Sequence, residues 1–254
     1  MRYYWQSLID DTTLTASSSP VGQDIDNLKV PQLARDYTFS SNNESVVIAF
    51  SVATEIKSFI VDRGNLTAAA TVTLQGNATD AWGAPSYSQA MTYTGTAFYL
   101  DLDETYKYYR LKLVDAAVTT ISIGYIHLGP EYTQMPPISN GAQLFYATTN
   151  EPSFSISNQV FANEGYEYLE TTFEFTNISD SAQTILGKTI ATRSEILVMW
   201  SAIRNTQPLW AMLWEENLDV FPPVFCVLNQ SNLNMQKQLG KQEYKTQITL
   251  REVH

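Results

Sequence analysis

A chain of 254 residues with a formal net charge of −11 has room for one large or two ordinary domains, each with its own core. Its negative field repels phosphate backbones, which argues against nucleic acid as a partner. Hydrophobic residues make up 44% of the chain, which excludes a disordered protein, and no stretch reaches the roughly 18 apolar residues of a membrane helix, so no membrane insertion is expected.

Only 16% of residues are charged, and Ser, Thr, Asn and Gln take up the polar surface. That balance suits β-sheet proteins with neutral polar faces. The opening MRYYWQSLIDD turns acidic at once and has no apolar core, so no signal peptide is expected and synthesis in a cytoplasm is. The aromatic cluster Tyr3-Tyr4-Trp5 is too short to fold alone. It either adds a strand to a neighbouring sheet or serves as an arm that contacts another subunit. Residues 1–20 are read as this N-terminal arm.

From about Asn27 to Pro130 the signals are β throughout, and 21–130 reads as one domain. Ser45–Val52 and Ile56–Val61 are rich in β-branched and aromatic residues. A turn follows at Arg63-Gly64-Asn65-Leu66. Ala70–Gln75 alternates, with Val72 and Leu74 on one face. Gly76–Ser86 reads as an exposed loop holding Trp82, and Ala97–Leu102 as a further strand. Tyr109, Leu111 and Leu113 alternate with Arg110 and Lys112, the pattern of a half-buried strand. A turn at Asp115–Ala117 leads to a last alternation over Ile121–Leu128, which Gly129-Pro130 stops.

The prolines and glycines of 131–141 read as a linker, and 142–254 as a compact second β domain. Within it Gln143–Phe154, Glu167–Phe175, Ile196–Ile203, Pro208–Trp214, Val224–Leu228 and Tyr244–Val253 have strand-like patterns. Ile178–Ser194 holds the one expected helix, with Asp180 as its cap.

The succession SVVIAF, IKSFIVDRGNLT, ATVTLQGN, a tryptophan loop, YKYYRLKLVD and ISIGYIHLG resembles the galactose-binding-like (discoidin-type) jelly roll. The positions that carry the resemblance are Phe50, Phe59, Leu74, Tyr109–Leu111 and Ile123. It implies an all-β jelly-roll sandwich with ligands on the loops at one end. In the second half PLWAMLWEEN, PPVFCVL and ITLREV are similar to phage tail structural proteins. That likeness implies a non-enzymatic virion protein of a tail tip or baseplate, made in the host cytoplasm and assembled with other tail proteins. It also implies a homo-oligomer, a trimer or hexamer, with contact to host surface glycan. The alternative is a carbohydrate-binding module outside any particle.

Catalysis needs a group poised to move a proton or to attack. There are two histidines: His127 sits among apolar strand neighbours and His254 is last in the chain, so His127 is read as structural. Asp101, Asp103 and Glu104 crowd what reads as one turn, solvated or holding a cation. Glu215 and Glu216 are adjacent and would point to opposite faces of a strand, which rules out a glycosidase pair. Cys226 reads as a buried, inert thiol. No enzyme, cofactor or metal is expected. Trp200, Trp210 and Trp214 read as core more than interface. Binding remains: Trp82 and Tyr87, with Asn77 and Asp80, form the candidate ligand site, and Tyr3, Tyr4 and Trp5 the candidate assembly contact.

Overall fold

The computed structural model describes residues 1–31, 35–136, 143–148, 152–154, 160–162, 167–185, 187–203, 208–212, 224–230, 233–238 and 243–252. At 143–148, 152–154, 160–162 and 167–169 it describes the backbone alone. The chain divides into two compact units, Met1–Tyr132 with Trp210–Val224, and Thr133–Leu209 with Phe225–His254. The proposed readings at Trp214, Glu215, Glu216, His254, Pro137, Asn140 and Gly141 lie outside the described residues.

The class is all-β, as expected. In the first unit the strands are β1 (Arg2–Tyr4), β2 (Thr12–Ala16), β3 (Tyr37–Thr38), β4 (Asn43–Asp62) and β5 (Thr71–Asn77). They continue with β6 (Tyr87–Ala90), β7 (Thr92–Tyr93), β8 (Ala97–Val114), β9 (Ser122–Ile123) and β10 (Ile126–Gly129). The main sheet runs β10-β4-β8-β5-β6, with β2 also on β4 and β7 on β8. All its ladders are antiparallel. β3 and β9 form a separate pair.

Two expected strands, Ser45–Val52 and Ile56–Val61, are one strand of 20 residues, and Ala97–Leu102 merges with Lys107–Val114 into one of 18. The register shifts between Ala49 and Thr54 and again between Ile56 and Ser58. Such bulges bend a strand without ending it, so a break in the side-chain alternation was mistaken for a gap between strands. The same correction applies to Asp101, Asp103 and Glu104, which lie inside β8 and not on a turn. Ile121–Leu128 divides the other way: Ser122–Ile123 joins β3, and Ile126–Gly129 joins β4.

The core side follows the alternation. Val46 and Ile48 of β4, Val72 and Leu74 of β5, and Tyr109, Leu111 and Leu113 of β8 are all buried. The turn at Arg63–Leu66 is latched through Asn65, whose Oδ1 accepts from Ser122 N (2.8 Å) and whose Nδ2 donates to the Thr120 carbonyl (2.9 Å). Gly64 sits in that turn at φ +52°, and a Cβ there would lie 2.2 Å from the Ser122 carbonyl oxygen.

The second unit continues with β11 (Thr133–Gln134), β12 (Gln143–Thr148), β13 (Pro152–Phe154), β14 (Val160–Ala162), β15 (Glu167–Ser179), β16 (Gln183–Ile185) and β17 (Lys188–Ile190). A helix α1 (Arg193–Ile203) and strands β18 (Leu209–Met212), β19 (Val224–Leu228), β20 (Gln236–Lys237) and β21 (Glu243–Glu252) follow in the chain. In this unit β21 pairs β15, β19 and β20, and β15 pairs β12. Trp210–Met212 of β18 belong to the first unit, where they pair with β1.

The helix is not where the sequence reading put it. Ile178–Ser194 holds the end of β15 and the short strands β16 and β17, and the run expected as a strand at Ile196–Ile203 is helical. Thr192 explains this. Its Oγ1 accepts from Glu195 N (3.4 Å), while the Glu195 carboxylate accepts from Thr192 N (2.6 Å), a reciprocal cap at a helix start. Ile196, Met199 and Ile203 then fall on one buried face. Met135, read as linker, is buried. Among the described residues no helix is long and apolar enough to cross a membrane.

Replacing Gly64 by alanine forces a side chain into left-handed backbone and against the Ser122 carbonyl. The expected loss is ~1–3 kcal/mol in urea unfolding; an unchanged midpoint would show that the turn relaxes freely.

Candidate ligand-binding face

On β8 the side chains opposite the core point outward, and cross-strand partners share a face. Thr15, Val47, Arg110, Gln75 and Ser88 therefore form one row across β2, β4, β8, β5 and β6, and Ser45, Lys112, Thr73 and Ala90 form the next. The first row is chemically linked. Arg110 Nε and Nη2 both donate to Gln75 Oε1 (2.8 and 2.5 Å), and Gln75 Nε2 donates to Ser88 Oγ (3.4 Å).

The loop between β5 and β6 folds onto this row. The Arg110 guanidinium lies 4.7 Å from the centre of the Trp82 ring, a cation–π contact. Trp82 Nε1 donates to Asp80 Oδ1 (2.6 Å). Asn77 closes the loop: its Nδ2 donates to the Ala81 carbonyl (2.6 Å), and its Oδ1 accepts from Ala78 N (2.9 Å) and Ser86 Oγ (3.1 Å). Partial burial pulls the Arg110 pKa down, and the charge of Asp80 opposes this.

Of the four residues expected at the ligand site, the structure brings Trp82, Asp80 and Asn77 together. Asn77 and Asp80 shape the loop and aim the indole. Tyr87 goes elsewhere. It pairs with Gly76, which pairs with Tyr109 on the inward side, and its ring packs 6.3 Å from Tyr106. A Cβ at Gly76 would stand 2.3 Å from the Tyr106 ring, so the glycine makes room for it. Burial and the nearby Glu104 raise the Tyr87 pKa.

Arg110 and Lys112 were read only as the polar half of an alternation, and Glu44 not at all. Together with Ser17, Asn43 and Ser45 they line a depression of about 270 Å³. Glu44 is buried, which alone would raise its pKa, but hydrogen bonds from Ser17 and Ser41 outweigh that and hold it below the usual value. The sequence signal for Arg110 was its outward place in YYRLKL; the residues it would meet depend on register, which no local pattern fixes.

Tyr3 and Tyr4 of the candidate assembly contact are fully buried, and Trp5 is half-buried. Arg2–Tyr4 pairs with Trp210–Met212, and the Tyr4 ring packs against Tyr99 (5.9 Å) and Tyr132 (5.8 Å). Trp210 is buried, and Trp200 is half-buried on α1. Cys226 is a buried free thiol whose pKa burial raises.

His127 is buried, and its Nε2 has no hydrogen-bond partner among the described residues. The orphan Ser58 Oγ crowds the same point beside Gly129, 2.1 Å from where a Cβ would stand, with His127 Nε2 at 3.0 Å. Burial pushes the His127 pKa down to about 3. Among the described residues no group of three or more His, Cys, Asp or Glu side chains could hold a metal ion.

The His127 shift has a pH consequence. The unfolded imidazole takes up a proton near pH 6.5 and the folded one only near 3, so this residue costs stability as pH falls through that window. Asp62, pushed up to about 6 by burial and by Asp36, acts in the opposite sense below pH 6. The difference in unfolding free energy between the wild type and His127→Gln is therefore expected to shift against the wild type by up to ~1.4 kcal/mol per pH unit between pH 6 and 4. A pH-independent difference would contradict the buried neutral imidazole.

No protein-family model matches the chain, and no curated protein does. Solved structures do resemble part of it. A Streptococcus pneumoniae fucose binding module is 9% identical, with 50% of this chain and 96% of that one covered and a TM-score of 0.43. The family 32 carbohydrate-binding module from C. perfringens NanJ, solved with galactose, is 6% identical, covers 50% and 98%, and scores 0.40. Chitosan-binding module 1 from a Paenibacillus sp. IK-5 chitosanase/glucanase is 14% identical over 48% and 98%, at 0.40. Identities and scores this low say nothing of a ligand for this chain.

Proposed function

We propose that this protein binds carbohydrate, and that glycan lies on the outward face of the first unit with Trp82 as its stacking ring. The observation that carries this is how the indole is held. Asp80 fixes its N–H, Arg110 lies against its ring, and Asn77 closes the loop beneath it. A ring already fixed loses little freedom on binding. The Arg110 it lies against is in register with Gln75, which is in register with Ser88. A sugar offers an apolar face of C–H groups and an edge of hydroxyls, and an aromatic ring flanked by neutral hydrogen-bonding groups complements both.

The rival reading, assembly into a phage tail through Tyr3, Tyr4 and Trp5, has less to work with. Two of those rings are already buried, and the strand that carries them is already paired.

The test is retention on immobilised glycans, neutral and acidic, for the wild type and Trp82→Ala. Wild type is expected to hold at least one glycan, and loss of the central aromatic is expected to weaken it about 30-fold with the unfolding midpoint unchanged. Retention on none, or equal retention by the variant, would refute the reading.

A further inference from the structure

We infer that the glycan is acidic: the depression lined by Arg110 and Lys112 takes a uronate ring, its carboxylate between those two side chains. This rests on the carbohydrate reading above and names its ligand class.

Four observations converge. First, the two cations stand two residues apart on β8 and face the same side, about 7 Å from each other along the strand. Second, their donors are open. Guanidinium has five N–H donors; two of those of Arg110 are held by Gln75. Lys112 is exposed and has no hydrogen bond or ion pair among the described residues. Third, Gln75 pins Arg110 without neutralising it, because an amide oxygen carries no charge. A cation fixed in place by a neutral partner is prepared for a carboxylate.

Fourth, the outward lining around the two cations is neutral and polar, Ser17, Asn43 and Ser45, which suits a ring that bears one carboxylate and several hydroxyls. Glu44, in register with buried Leu113, is held inward by Ser17 and Ser41. The volume, about 270 Å³, falls just below the range for drug-sized ligands and suits one ring of a longer chain. Trp82 lies against Arg110, one of the residues that line the depression.

The overall charge of −11 works against any polyanion at long range. At about 0.15 M salt the Debye length is ~8 Å, so the remote acidic surface is screened while contacts inside the depression persist.

The test uses the full chain at that ionic strength on three immobilised acidic polysaccharides, polygalacturonate, polymannuronate and hyaluronate, each beside its methyl ester. Esterification removes the charge and keeps the rings. The expected result is at least tenfold tighter binding to one free acid than to its ester, with Lys112→Gln collapsing that preference towards unity. Lys112 is exposed and makes no contact with the Trp82 loop that the fold needs, and circular dichroism verifies that the variant folds. Equal or better binding to the esters, or a preference that survives Lys112→Gln, overturns the inference and leaves the carbohydrate reading standing. No retention on any of these six together with none on neutral glycans overturns both.

Discussion

Leu111 faces Val46 and Leu74 across its two ladders, while Arg110 faces Val47 and Gln75, and this alternation gives the first unit's sheet one dry side and one wet side. A slip of one residue between β4 and β8 would exchange the two sets and bury Arg110 and Lys112 where Leu111 and Leu113 now pack. Burying two unpaired cations costs far more than the apolar contacts could return, so the register is strongly specified. The bulged region, where the pattern alone would let it drift, is held by Tyr109. Its hydroxyl accepts from Tyr106 N (3.1 Å) and donates towards the carbonyls of Glu104 (2.8 Å) and Thr54 (3.0 Å). One buried phenol thus ties β4 to β8 at the point where the ladder is irregular.

Charge is treated differently on the two sides. Inside, ionisable groups are paired or neutral. Arg2 reaches Asp101, Tyr4 and Tyr99 in one cluster, and burial raises the pKa values of both tyrosines, so they stay protonated. His127 stays neutral by burial alone. Outside, Arg110 and Lys112 keep donors that no group among the described residues satisfies.

The β class and the inward residues were legible because period-two alternation is a local property: Tyr109, Leu111 and Leu113 could be sorted from Arg110 and Lys112 by eye. Strand continuity was not. A bulge breaks the alternation in the same way that a loop does, and only the ladder on the partner strand tells them apart. The helix was legible and missed. Thr192-Arg193-Ser194-Glu195 has the Thr-x-x-Glu spacing of a reciprocal cap ahead of an apolar run, but the apolar density of ILVMW was weighted above it. Trp82, Asp80 and Asn77 could be named because a tryptophan in a Gly-, Asn- and Asp-rich loop stands out. Arg110 could not, because its importance comes from Gln75 and Trp82, which reach it through pairing and loop folding.

Those same dependencies decide what each side chain of the face contributes. Arg110 serves two purposes at once, supporting the Trp82 ring and offering charge, so its removal would blur stacking with electrostatics. Lys112 shares the row's orientation and stands apart from the loop, which isolates the charge. Trp82 isolates the ring. On the carbohydrate reading proposed above, the face divides into a stacking element and an electrostatic one joined through a single arginine. Over β8 the indole and the guanidinium are held in contact, with Asp80 fixing one and Gln75 the other.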